Sequence, residues 1–327
     1  MTDYKARVAE FADTFKQVRA EVGKVIVGQE TVVLDLLKTV FANGHALIEG
    51  VPGLGKTLLV STLGQVFDLS TGRIQFTPDL MPTDILGTNM ILEDADGRKR
   101  FQFQHGPIFA QIVLADEINR ATPKTQSALL QAMQERSVSI AGTTFDLELP
   151  FFVLATQNPI EMEGTYPLPE AQIDRFLTKI QIEYPSQKDL MAILDQTTGI
   201  ETPAASRVMD GKQIIAAQQL AAQIPVPDHV REAVTHLVLA THPESELSGD
   251  KVKKYVRYGA SPRGGQALLT TAKVSALIDG RYSVSIDDVR DVLHICLRHR
   301  LLLSFEGEAE GMNTDHLLNE VAATVLK

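Results

Sequence analysis

Residues 50–57, GVPGLGKT, constrain this chain more than any other stretch, because they fit G-x-x-x-x-G-K-[ST], a glycine-rich loop that wraps the phosphates of a nucleoside triphosphate. Ala46-Leu47-Ile48 precedes the loop and Leu58-Leu59-Val60 follows it, so it is expected to join a buried strand to a helix whose N-terminus faces the phosphates. Gly53 and Gly55 let successive backbone N–H groups converge on phosphate oxygens with no Cβ in the way. Lys56 is expected to reach the β and γ phosphates, and the Thr57 hydroxyl to hold Mg²⁺. Pro52, Leu54 and Leu58 complete the run expected to contact the nucleotide, ATP or GTP. The alternative is a glycine-rich turn beside a surface lysine.

With 327 residues, 44% of them hydrophobic and 22% charged, the chain is long enough for one large or two ordinary globular domains. Cys296 is its only cysteine, so no intrachain disulfide can form, which fits a reducing compartment. The N-terminal residues lack the apolar centre of a signal peptide, and no run approaches the roughly eighteen apolar residues that span a bilayer. A cytoplasmic location without membrane insertion is therefore expected. A net charge of −10 opposes nucleic-acid binding over the whole surface and argues for protein partners, although a local basic patch stays open.

Val8, Phe11, Phe15, Val18 and Val22 recur at spacings of three and four, which predicts an amphipathic helix over residues 1–24. From about residue 25 to 183, strand-like apolar runs at 46–48, 112–115 and 151–155 alternate with helical patterns, implying a parallel sheet covered on both faces by helices. Asp96-Gly97, between Met90-Ile91-Leu92 and Phe101-Gln102-Phe103, predicts a hairpin over about 88–104. Ala141-Gly142 predicts a second hairpin over about 136–149. After Tyr184-Pro185 only helical periodicity remains, so an α/β domain over 1–184 is expected to precede a smaller all-helical domain over 185–327. In that second part Ile224 to Asp228 reads as a connector ending in a helix N-cap, and Ser285-Ile286-Asp287-Asp288 as a capping box.

Four further features line up with the loop. Residues 112–117 read as a buried strand ending in two carboxylates: Asp116 is expected in the Mg²⁺ coordination sphere, and Glu117 as the base that orients and deprotonates the attacking water. Alone, such a pair is as readily a solvated strand edge. Asn158 ends another apolar strand, and between the other two it can hold the water or the γ phosphate without adding charge. Arg175 follows a short helix opened by Pro167-Leu168-Pro169, where it is expected to project outward, suited to a neighbouring subunit's phosphates. Arg263 stands at a helix start in the second domain and can sense the γ phosphate. Each of these three residues also has an ordinary interpretation, as an Asn-Pro turn, a surface ion-pair residue and a solvated arginine.

Together, GVPGLGKT, VLADEINRA (113–121), LATQNP (154–159), EGTYPLPEAQIDRF (163–176) and GASPRG (259–264) resemble the MoxR family of AAA+ ATPases, in the family's order and over nearly the whole chain. The resemblance implies a P-loop AAA+ domain with a helical lid, assembling into a homo-oligomeric ring, a hexamer, with ATP at subunit interfaces. Residue by residue it puts Lys56 and Thr57 in Walker A, Asp116 and Glu117 in Walker B, Asn158 at sensor 1, Arg175 at the arginine finger and Arg263 at sensor 2. Val27 and Gly28 match the segment that touches adenine, and Arg120 is a further candidate interface arginine. The two hairpins match the helix-2 and pre-sensor-1 inserts, which face the pore or substrate in related ATPases. Whether Arg263 acts on its own ATP or a neighbour's stays open. Gly264 replaces the family's usual Ala, which loosens the first helical turn. The family implies a chaperone that matures or activates client complexes with a von Willebrand factor A domain protein, expected here to be a separate polypeptide.

A GTPase needs an Asn-Lys-x-Asp guanine reader, and the sequence has none. An ABC-type signature at Gly264-Gly265-Gln266 falls far after the acid pair instead of before it. The serious alternative is a motor on nucleic acid, because replicative helicases share such inserts and Arg98, Lys99 and Arg100 sit at the first hairpin tip. His294, Cys296 and His299 are spaced by two and five, so they do not share a helix face for a metal; a packed cysteine and two polar-face histidines are expected instead.

Overall fold

The computed structural model describes residues 2–93, 99–140, 142–158, 164–199 and 203–326. Helix α1 (Thr2–Val25) buries the expected stripe, Val8, Phe11, Phe15, Val18 and Val22. Phe11 meets Phe41 of α2 (Glu30–Phe41) edge-on at 5.0 Å, and Phe41 meets Phe67 at the end of α3 (Lys56–Phe67) at 6.0 Å. Such ring pairs add about 0.5–1.5 kcal/mol each to ordinary apolar burial, and here they lock three helices together.

Between α2 and α3 runs β1 (Ala46–Glu49), and β2 (Thr71–Gln75) follows α3. The short α4 (Pro82–Leu86) then leads to an antiparallel hairpin of β3 (Gly87–Glu93) and β4 (Lys99–His105). Strand β5 (Ile112–Asp116) precedes α5 (Pro123–Glu135) and a second antiparallel hairpin, β6 (Ser137–Ile140) with β7 (Thr143–Asp146). Strand β8 (Phe152–Gln157), the one-turn α6 (Glu170–Ile173) and β9 (Thr178–Gln181) complete this part. Both expected hairpins are present, although Asp96, Gly97, Arg98 and Ala141 lie outside the described residues.

The five sheet strands are parallel in the order β2-β5-β8-β1-β9, so the strand leading to Asn158 lies between the one carrying the acid pair and the one carrying the loop. Side chains alternate between the faces. Ile48, Leu114 and Leu154 join the core under α1, α2 and α3, while Leu47, Val113 and Val153 join the one under α5. Central β5 and β8 are buried almost throughout, which is why they read as apolar runs. Edge strands β2 and β9 escaped that reading because β2 buries only Ile74, and β9 alternates Thr178 and Ile180 with Lys179 and Gln181.

Beyond β9, α7 (Gln187–Thr198) lies on the surface with no buried residue, and α8 (Gly211–Ala222), α9 (Asp228–Ala240) and α10 (Asp250–Tyr255) follow. The lid is not wholly helical: β10 (Val256–Tyr258) precedes the long α11 (Pro262–Ile278) and α12 (Ile286–Leu297), and pairs antiparallel with β11 (Leu302–Leu303). Helices α13 (Phe305–Ala309) and α14 (Thr314–Val325) close the chain. The capping box forms as expected, Ser285 Oγ accepting from Asp288 N–H at 3.3 Å and the Asp288 carboxylate from Ser285 N–H at 2.7 Å. Asp228, expected as an N-cap, is instead the first residue of α9, with Pro227 at the cap; a proline there presets the extended backbone that leads into the helix.

Helix α11 packs against α8, α9 and α12 and reaches α1 and α2, so the lid is seated on one side of the α/β part. Arg300 fixes that seat. Its Nε donates to Asp174 Oδ1 at 2.7 Å, and its remaining N–H groups donate to Leu177 O, Phe176 O, Asp174 O and Cys296 O. A guanidinium buried this deeply is tolerated only because its donors are met.

Candidate nucleotide site

Because β1, β5 and β8 are parallel, their C-terminal ends open on one cleft of about 330 Å³. Pro52, Gly53, Leu54, Gly55, Lys56 and Thr57 line it from β1, Asp116 and Glu117 from β5, and Asn158 from β8. Gly53 (φ 84°) and Gly55 (φ 74°) adopt left-handed backbone, and a Cβ at either meets nothing within 4 Å, so the space above the loop is free for phosphate oxygens. Gly55 is also the N-cap of α3, whose unpaired N–H groups and dipole favour an anion. Lys56 Nζ donates to Gly50 O at 2.6 Å; burial lowers its pKa, while Asp116 and Glu117 pull it back up.

The acid pair is held by a network around Thr156. Asp116 Oδ1 accepts from Thr156 Oγ1 at 2.8 Å, and the same Oγ1 accepts from Glu117 N–H at 2.8 Å. Arg73 Nη2 donates to Asp116 Oδ2 at 2.8 Å and to Gln75 Oε1 at 2.9 Å, and Gln75 Nε2 donates to Glu117 Oε2 at 3.0 Å. Glu117 itself is left-handed (φ 58°), a conformation costing a non-glycine residue about 1–2 kcal/mol. That turn separates its carboxylate from that of Asp116. Oxygen donors at Thr57 and Asp116 suit a hard divalent cation, and the loop suits a polyphosphate.

Arg73, Gln75 and Thr156 had no part in the sequence analysis. Their signal was present: Arg73 and Gln75 alternate on β2, whose register sets Gln75 opposite Asp116, but that required recognising the edge strand first. Thr156 sat inside LATQNP without a role of its own.

The two candidate arginines lie elsewhere. Arg175 and Arg263 line a pocket of about 350 Å³ whose walls include His45, just before β1, and Leu177, just before β9. This is the N-terminal end of the sheet. Strands of four residues at about 3.3 Å each set it some 13 Å from the cleft, before any loop is counted. Arg175 does not simply project outward: Nη1 donates to Leu130 O at 3.0 Å while the side chain lines the pocket. Arg263 stands at the start of α11, where Ser261 Oγ accepts from its N–H and donates to Asp174 Oδ2 at 3.0 Å.

Other expected positions fall beside the cleft. Val27 and Gly28 do not line it; Gly28 (φ 72°) abuts Asp189 of α7, and neighbouring Gln29 Nε2 donates to Leu54 O at 3.1 Å, tying the segment to the loop. Leu58 points away, 45% exposed on α3. Arg120, a candidate interface arginine, pairs within its own chain, Nη1 lying 3.0 Å from Glu117 Oε2. Pro159 and Glu163 lie outside the described residues, as does Arg98 of the first hairpin's expected tip. Cys296 is buried against Thr271 and His294 bonds Asn319, but His299 is no polar-face histidine: it turns inward, bonding Phe176 O at 3.2 Å, because its position follows the helix end and faces the lid seam.

The sequence model of the family described as "ATPase family associated with various cellular activities (AAA)" matches residues 45–178, and that of the "AAA lid domain" matches residues 250–321. Chaperone MoxR1 of Mycobacterium tuberculosis is 44% identical over 312 residues, 95% of this chain and 82% of that protein. Protein MoxR of Paracoccus denitrificans is 32% identical over 340 residues, 98% of each. Among solved structures, a Cytophaga hutchinsonii protein provisionally described as an ATPase matches with a TM-score of 0.93 and 38% identity, covering 99% of this chain and 98% of that one.

Proposed function

This chain belongs to the MoxR family of AAA+ ATPases, and from that premise we propose that it cleaves ATP in a seam between two copies of itself, one copy giving the cleft and the next giving Arg175 and Arg263. The reading is supported above all by one observation: both arginines open at the end of the sheet opposite the cleft. No side chain reaches from one to the other.

In this reading the loop from Pro52 to Thr57 cradles the phosphates, with Val27, Gly28 and Leu58 near the rest of the nucleotide. Thr57 and Asp116 would hold Mg²⁺, which would offset the charge of the phosphates. Glu117, oriented through Thr156 and Gln75, takes a proton from the attacking water, which Asn158 helps to position. Lys56 and the incoming Arg175 stabilise charge on the transferred phosphoryl group. We divide the chain after residue 184, with an ATPase domain before and a lid after.

We further propose a ring of such seams, a hexamer, and a chaperone-like role in maturing partner complexes, with a von Willebrand factor A domain protein as companion; the likeness to Chaperone MoxR1 supports the chaperone-like part. Neither relative named above favours the nucleic-acid motor. Among the described residues no helix is long and apolar enough to cross a membrane, and a cytoplasmic site of action accords with this reading.

Mixing subunits tests the seam. Arg175→Ala is expected to keep nucleotide affinity and lose about 10³-fold in turnover. Adding Glu117→Gln subunits, which carry the arginine but a dead base, should restore activity. Equal turnover by monomer and assembly rules the shared site out.

A further inference from the structure

The last turn of α5 ends on Arg136, in left-handed backbone (φ 52°, ψ 28°), where helices usually place glycine or asparagine because a Cβ is unfavourable. An arginine against that preference points to a use for its side chain. Arg136 Nη2 donates to Asn43 Oδ1 at 2.8 Å, in the turn before β1, and this holds the half-buried guanidinium in the pocket of Arg175 and Arg263. Among the described residues Asp174 is the acid lining that pocket, and Arg300 already occupies it. Arg136, Arg175 and Arg263 have no carboxylate within 4.0 Å among the described residues. Three unmatched cations thus converge in a protein of net charge −10.

The cleft, once it holds nucleotide, has the complementary deficit. Lys56 and Arg73, with Arg120 on Glu117, set three positive charges against Asp116 and Glu117, a surplus of one. A magnesium-bound triphosphate adds about two net negative charges, more than that surplus offsets, which leaves room for cations from outside the cleft.

We propose that Arg136 is a third cation, beside Arg175 and Arg263, that each protomer presents to the triphosphate bound by its neighbour. This rests on the shared-site reading above. The Asn43 bond preorganises the group, so it contributes without ordering a flexible side chain at each turnover.

The backbone supplies the test. Arg136→Gly removes the guanidinium while favouring the left-handed turn, so Tm should stay level or rise while kcat falls about 10- to 100-fold. Nucleotide affinity of the isolated subunit, read with a fluorescent ATP analogue, should not change. Mixing Arg136→Gly with Glu117→Gln should restore hydrolysis, because one subunit then supplies an intact cleft and the other an intact Arg136. Arg136→Gln serves the same mixing test should the glycine variant fold poorly. Unchanged kcat overturns the inference. So does a loss that mixing fails to restore while the Arg175→Ala mixture is restored; Arg136 then acts only within its own chain. If neither mixture recovers, the shared site itself is wrong, and Arg136 falls with it.

Discussion

The cleft and the arginine pocket stand on opposite ends of the same strands, and they treat charge in opposite ways. In the cleft each acid already has a partner, Asp116 in Thr156 and Arg73, Glu117 in Gln75 and Arg120. In the pocket Asp174, the acid among the described lining residues, is spent on Arg300, and Arg136, Arg175 and Arg263 have no described carboxylate partner. A surface that organises its own reaction centre balances charges locally to hold them still. A surface that meets an anion held elsewhere keeps its cations unmatched, and it is stable alone only because those cations stay near water.

Three measurements press on this contrast, beginning with the largest effect. Glu117→Gln changes only the cleft: ATP should still bind, while single-turnover hydrolysis falls by about 10² to 10⁴. Normal turnover in that variant leaves the cleft without its base. Arg300→Met attacks the other end, stranding Asp174 and several backbone carbonyls, and should cost about 3–5 kcal/mol in urea denaturation. A loss under about 1 kcal/mol shows that the lid is seated by packing instead.

The smallest effect concerns His45, in the pocket wall. Its Nδ1 accepts from Val153 N–H at 3.0 Å and its Nε2 lies 3.1 Å from Met133 O, so it is built in as a neutral ring; burial pushes its pKa from 6.5 down to about 4. The folded value lies below the unfolded one, so this contribution is complete above pH 6.5 and is lost as pH falls toward 4, about 3 kcal/mol in all. Asp35, pushed up to about 6 by burial, acts with the opposite sign over much of that window. The prediction is therefore for the difference: stability of wild type relative to His45→Gln should decline with acidification. A flat difference means that the pocket wall admits a charged imidazole.

Much of the cleft was legible because its residues lie at the ends of strands buried on both faces, which leave continuous apolar runs. The loop, Asp116, Glu117 and Asn158 could be lined up before the strand order was known. Arg73 and Gln75 could not, since β2 is an edge strand with one buried residue and no apolar signature. Nor could the pocket. Asn43, Arg136, Arg175 and Arg263 come from four separate turns; the packing of the α/β part brings the first three together, and the seating of the lid adds Arg263. The left-handed backbone at Glu117 and Arg136 was equally hidden, because neither residue type announces it.

In the proposed shared site, socket and plug face away from each other, which gives the body a direction. Two copies joined socket to plug always leave one of each unused, so a symmetric back-to-back pair cannot complete both sites. Head-to-tail addition must either bend round until the first copy meets the last, or continue as an open filament. Under that proposal the parallel run of five strands, fixed by alternating helices, narrows the kinds of assembly that can complete the site.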